Sequence, residues 1–204
     1  MASRILAFSD LALSDLASAD QFDHGERAVT WRSDPVAVAL ALVLAVLLAV
    51  TAPSWWFVPS RLFLAPVLVA LCVIDLRERR LPDRIVLPSV AVAFVLLAGA
   101  ALLDGAPRLI GTAVLGALIF AGVLLVLHLA SPAGMGFGDV KLGLLLGLYL
   151  GSVRLSLVVW GLLLGSLIGV VMAVPVALRT RDRRAGIPFG PALAAGTVIA
   201  LVLG

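Results

Sequence analysis

Residues 109–130 read LIGTAVLGALIFAGVLLVLHLA, a run with no Asp, Glu, Lys or Arg. About 20 mainly apolar residues let a helix cross the hydrocarbon layer, and a helix is the default there because it bonds its own backbone polar groups. Working outward, Asp104, Gly105, Ala106 and Pro107 supply a tight turn that joins this run to a second apolar stretch at 85–103. Two more lie upstream, at 59–74 and 35–50. Pro35 suits a first helical turn, with Ser33 or Asp34 before it as a cap. Between these two stretches, Trp55, Trp56 and Phe57 read as an interfacial aromatic belt. Downstream, 140–150 is short and open to extension by its flanks, Gly151 and Ser152 turn into 153–178, and 187–203 is the last. The pattern predicts an all-α, polytopic membrane helical bundle of about seven transmembrane helices, within a range of six to eight.

Composition points the same way. Of 204 residues, 62% are hydrophobic and only 13% charged, against about 25% charged in soluble domains, and the mean hydropathy is +1.17. Those values exclude an ordinary soluble domain and also a disordered chain, which lacks the apolar surface to bury. The single cysteine, Cys72, excludes an internal disulfide framework and a zinc site of paired cysteines. A net charge of +3 informs orientation more than ligand, so nucleic acid is not an expected partner.

Placing the chain start in the cytoplasm and alternating the spans tests the assignment. Arg4, Arg27, Arg32, Arg77, Arg79, Arg80, Arg84, Lys141, Arg179, Arg181, Arg183 and Arg184 then fall inside, and only Arg61, Arg108 and Arg154 outside. That is the bias expected when basic loops stay in the cytoplasm. Residues 1–34 are expected to form a polar cytoplasmic tail, and 35–204 the transmembrane domain. A secretory signal is not expected at the start, because carboxylates interrupt the apolar run at 5–16. The basic loop 179–184 reads as an orientation signal that also contacts membrane lipid.

Acidic residues at a membrane boundary are costly to keep and mark candidate functional sites. Asp75 ends the apolar run at 62–74, and Asp139 precedes the one at 142–150. The topology puts both at cytoplasmic helix ends, at the same depth. Taken singly, Asp75 could be an interfacial carboxylate balanced by arginines and Asp139 a helix cap. Their surroundings argue for more. Gly134, Gly136 and Gly138 alternate ahead of Asp139, and glycines permit conformations and close approaches that a side chain would block, which suits an extended substrate. After Asp75, Pro82 disfavours helix at Leu81 and fits the first turn of a span starting near Asp83. The 187–191 stretch, with Pro188, Gly190 and Pro191, makes a broken helix entry, tolerated in lipid where it lines a protein cavity. It is therefore expected beside the aspartates.

Asp75 followed by Leu81, Pro82 and Asp83, then Gly136, Phe137, Gly138, Asp139, Val140, Lys141 and Leu142, then Ile187, Pro188, Phe189, Gly190 and Pro191, resembles the type IV prepilin peptidase family of intramembrane aspartic proteases. The resemblance runs from about residue 59 onward. It implies that Asp75 and Asp139 are the catalytic pair, with Gly136 and Gly138 the glycines of the G-x-G-D signature. It also implies cleavage of a short basic leader from prepilin-like precursors at the cytoplasmic face of the inner membrane, just before the substrate's hydrophobic helix. Bifunctional members add a zinc-binding insert with two cysteine pairs and methylate the new N-terminus. Here the link between the first two spans is short and Cys72 stands alone, so the expectation is a compact, peptidase-only form with no metal and no cofactor.

Two carboxylates a few ångströms apart cannot both ionise easily, so they share a proton and titrate as a unit. One would draw a proton from a water held between them while the other hydrogen-bonds the scissile carbonyl. Among the remaining polar residues, Lys141 is expected to snorkel to the headgroups, with tuning of the aspartates as the alternative, and Asp83 to cap the third span or help position substrate. His128 reads as interfacial. Gly143, Gly147 and Gly151, four apart, read as a close helix contact. The alternative for the whole chain is a small proton- or cation-coupled transporter using the two aspartates, against which stands their boundary rather than midplane position. The oligomeric state is not legible.

Overall fold

The computed structural model describes residues 35–78, 81–130, 136–180 and 189–204. The polar tail 1–34 and most of the loop 179–184 lie outside the described residues. Seven α-helices and one short 3-10 turn form the described part, with no strand among them: α1 (Pro35–Val50), the turn Trp55–Phe57, α2 (Val58–Glu78), α3 (Asp83–Leu103), α4 (Arg108–Ala130), α5 (Phe137–Val153), α6 (Leu155–Thr180) and α7 (Gly190–Leu203). Four helical segments are long and apolar enough to cross a membrane, Trp55–Glu78, Asp83–Leu103, Arg108–Ala130 and Leu155–Ala173. Two shorter apolar helices, Pro35–Val50 and Gly190–Leu203, accompany them. The protein is a multi-pass membrane protein.

Helix ends follow local chemistry. Gly105 takes a φ of 69°, its N–H donates to the Leu102 carbonyl and that of Ala106 to Ala101, so the end of α3 is closed by a left-handed glycine followed by a sharp reversal. The turn expected at Gly151 and Ser152 comes later. Helix α5 runs through both residues to Val153, and a single extended residue, Arg154 (φ −165°, ψ 135°), separates it from α6. The reason is packing: Gly151 lies against the Thr112 carbonyl and Gly116 of α4, a contact that only helical continuity keeps in register.

That contact is part of a seam. A Cβ on Gly147 would collide with the Gly116 carbonyl and sit 2.7 Å from the Ala117 Cα, and one on Gly143 would sit 2.9 Å from Leu124. Helices α4 and α5 therefore approach backbone to backbone, the most extensive contact in the bundle and the one expected from the four-residue glycine spacing. Gly165 of α6 and Gly196 of α7 make a second such approach. The core between the seams is aliphatic, with Leu64, Leu68, Phe120, Leu145, Leu146 and Leu193 buried. Pro66 and Pro88 sit inside α2 and α3, where apolar surroundings and neighbouring helices tolerate the lost backbone donors. Phe57 of the aromatic stretch is buried, whereas Trp55 is exposed and stacks on Trp56.

Candidate active site

Helix α2 continues one turn beyond the apolar run and carries Asp75 into that last turn; α5 begins at Phe137 and carries Asp139 in its first turn. Both carboxylates are nearly enclosed, at 5% and 6% exposure. Each stands within electrostatic reach of the other, and Asp139 also of His128. The two acids thus meet at one end of the bundle. Helices α2 and α5 do not pack closely; α5 leans on α3, α4, α6 and α7, and α2 on α1, α3 and α7. The carboxylates are therefore brought within electrostatic reach of each other by the helices around them and not by direct packing of α2 on α5.

Asp75 is oriented by the start of α7. The Gly190 N–H donates to Asp75 Oδ2 at 3.1 Å, and a Cβ on Gly190 would stand 2.7 Å from that oxygen. Glycine here lets the carboxylate reach a backbone donor at a helix N-terminus, where negative charge is favoured. Gly190 thus lies beside Asp75 as the broken-entry pattern predicts, while Pro188 and Ile187 lie outside the described residues.

At Asp139 the cap reading is corrected in position only. Gly136, not Asp139, occupies the N-cap, and Asp139 is inside the first turn, its N–H donating to the Gly136 carbonyl at 3.1 Å and its carboxylate accepting from the Gly136 N–H. Gly136 itself has φ −71° and ψ 145°, open to any residue, and a Cβ there would make only an ordinary 3.7 Å contact with Asp139. Gly138 is different, because a Cβ would stand 2.9 Å from the Leu81 Cβ. The glycine is needed for the segment before α3 to lie against the first turn of α5.

The same segment corrects two further readings. Pro82, not Asp83, stands at the N-cap of α3, with no side-chain cap bond, and its carbonyl accepts the N–H groups of Ile85 and Val86. Asp83 instead binds Lys141, Nζ to Oδ1 at 2.5 Å, and Lys141 also lies over the Phe137 ring at 5.0 Å. Lys141 is not left to the headgroups alone; a carboxylate 58 residues away holds it. The sequence could not show this pair, because it joins helices whose packing is set by Leu81 on Gly138. Arg61, in the first turn of α2 at the end away from the aspartates, is 1% exposed, a burial the sequence did not report.

An apolar cleft of about 290 Å³ opens between α1, α2 and α7, lined by Leu40, Leu44, Val69, Cys72, Pro191 and Ala195. Among the described residues no three His, Cys, Asp or Glu side chains gather as a metal would require.

A helical membrane bundle with two buried aspartates facing each other at one end defines the class of intramembrane proteins with a carboxylate pair. Within that class the chain belongs to the type IV leader peptidase family, whose sequence profile matches residues 62–174. It is 39% identical to the prepilin leader peptidase/N-methyltransferase of Aeromonas hydrophila over 83% of this chain and 58% of that protein. The protein of the same name from Pseudomonas aeruginosa is 39% identical over 73% of this chain and 51% of its own length. That of Escherichia coli K12 is 36% identical over 82% and 73%. The chain spans 58% of the length of the Aeromonas hydrophila protein. No solved structure matches it.

Proposed function

We propose that this chain is a membrane-embedded aspartic endopeptidase that removes the short basic leader from prepilin-like precursors, of a type IV pilus, a tight-adherence pilus or a secretion pseudopilin, at the cytoplasmic face of the inner membrane. The observation that carries the reading is that Asp75 and Asp139 are both buried and lie within electrostatic reach of each other at one end of the bundle. Family membership supports the prepilin-type precursor as partner.

In this reading one aspartate is ionised and takes a proton from water. The water oxygen bonds to the scissile carbonyl carbon, whose oxygen receives a hydrogen bond from the protonated partner. The tetrahedral species collapses as the C–N bond breaks, and the departing nitrogen takes a proton from the pair. The Gly190 amide holds Asp75 in place throughout. Gly136 leaves room beside Asp139 for an extended peptide, Gly138 lets Leu81 lie against the first turn of α5, and Pro82 sets the backbone entering α3. Residues 1–34 take no part, and 35–204 carry the activity. The methyl-transfer step in the relatives' names is left out of the proposal, because the residues linking α1 to α2 are few and Cys72 has no cysteine partner for zinc.

The test is reconstitution with a prepilin precursor and mass spectrometry of the product's N-terminus. Cleavage by the native chain, lost in Asp75→Asn and in Asp139→Asn, is the expected result; full cleavage by either variant would overturn it.

A further inference from the structure

Asp139 and Lys141 stand two positions apart on α5 and so occupy different faces of the helix. Asp139 is turned toward Asp75, while Lys141 reaches to Asp83 in the first turn of α3. Within α5 the Asp139 carboxylate accepts from the Gly136 N–H and Lys141 lies over the Phe137 ring, while the glycine at the N-cap adds no side chain of its own. From outside, Leu81 packs against Gly138 on one side of the turn, the His128 ring meets Phe137 edge-on, and Asp83 binds Lys141. The lysine is 20% exposed, enclosed between the acid and the Phe137 ring, whereas Asp83 is 56% exposed.

We propose that the Asp83–Lys141 ion pair is a positioning device for the aspartate pair: it sets the rotation of the first turn of α5 and thereby where Asp139 stands against Asp75. An ion pair this exposed adds little to stability, so its consequence is geometric. A catalytic group displaced by about 1 Å can lose roughly a hundredfold in rate. Neither Asp83 nor Lys141 needs to touch substrate for this, and the alternative, that Lys141 acts alone on the dyad or the substrate, makes a different prediction.

The kinetic arm of the test rests on the peptidase reading and uses the full chain in liposomes with a prepilin precursor. Asp83→Asn and Lys141→Met, each nearly isosteric and uncharged, are expected to lower kcat about tenfold or more with KM within about twofold. The charge-swapped double variant, Asp83→Lys with Lys141→Asp, is expected to recover at least about half of the native kcat. Unchanged kcat in both single variants overturns the proposal, and so does a swapped variant as slow as the singles, because a residue acting alone is not restored by exchanging charges. A second arm needs no cleavage. In a chain carrying Cys72→Ser, Asp75→Cys and Asp139→Cys, a short bifunctional methanethiosulfonate should bridge positions 75 and 139. Lys141→Met should lower the bridging rate about fivefold and the swap restore it; equal rates in all three overturn the proposal. An uncut precursor with altered bridging would sink the peptidase reading and leave the positioning device standing.

Discussion

Helices α2 and α5 bring polar groups together at both of their ends, and the two ends are not alike. At one, Asp75 and Asp139 place two groups of the same charge type in near-complete burial. At the other, roughly 21 Å along α2 at 1.5 Å per residue, the buried groups are Arg61, Ser60 and Tyr149. There the Tyr149 hydroxyl donates to the Ser60 carbonyl at 2.7 Å, and the Ser60 hydroxyl to the Phe57 carbonyl at 2.7 Å. Arg61 fills the space with its Nε and Nη1 unbonded. The Tyr149 end ties the two helices to each other directly. The aspartate end is braced by third parties, the Gly190 amide on Asp75 and the α3 entry on α5. One end is thus closed by a direct hydrogen bond between the two helices, while the carboxylates at the other are placed by the elements around them.

The widest separation between the ends should appear in activity. Asp75→Asn and Asp139→Asn each keep shape while removing an acid–base group, and the expected loss in kcat is roughly 10²–10⁴-fold with no fall in Tm. Arg61→Met at the opposite end should leave kcat within about twofold. A comparable loss from Arg61→Met would erase the distinction between the ends. The next largest effect lies between them. Gly147 sits in the α4 seam against the Gly116 carbonyl, and Gly147→Leu forces the two backbones apart. A destabilisation of about 1–3 kcal/mol or more, read as a lower Tm in detergent with activity lost in parallel, would separate overpacking from the selective loss at the aspartates.

How much of this was legible depended on whether the signal was local. The spans could be read because apolar runs, the Asp104–Gly105 reversal and the Gly143, Gly147, Gly151 spacing are each determined within a helix or two. The aspartates stood out because a carboxylate next to an apolar run has few uses. The end of α5 was misplaced, since Gly151 reads as a turn residue until the α4 backbone is seen against it. Asp83 and Lys141 were assigned the roles that isolated helix ends suggest, a cap and a snorkel. Their pairing depends on Leu81 lying on Gly138, which no spacing in the sequence reports. Arg61 was read only for its side of the membrane; that it is buried depends on the helices packed around the first turn of α2, which the sequence does not report.

The Arg61 end yields a stability prediction with an unusual sign. Buried N–H groups without acceptors cost about 1–3 kcal/mol, so Arg61→Met should raise Tm rather than lower it. A lowered Tm would mean that the guanidinium holds its neighbours through the Tyr149 dipole more strongly than its unbonded nitrogens cost.

Tyr149→Phe probes the tie itself and should have the smallest effect. The hydroxyl is one donor to one carbonyl, and the Ser60 carbonyl lies inside α2, where the helical ladder also uses it. Removing the hydroxyl therefore leaves an acceptor that still has a partner, and the ring keeps its place in the buried apolar core. The loss should be about 1 kcal/mol, seen as a small decrease in Tm, with the cleavage rate unchanged because the aspartate end has its own braces. If the rate fell instead while Tm held, the hydrogen bond at one end of α2 and α5 would be setting the carboxylate gap at the other, and the two ends would act as one lever.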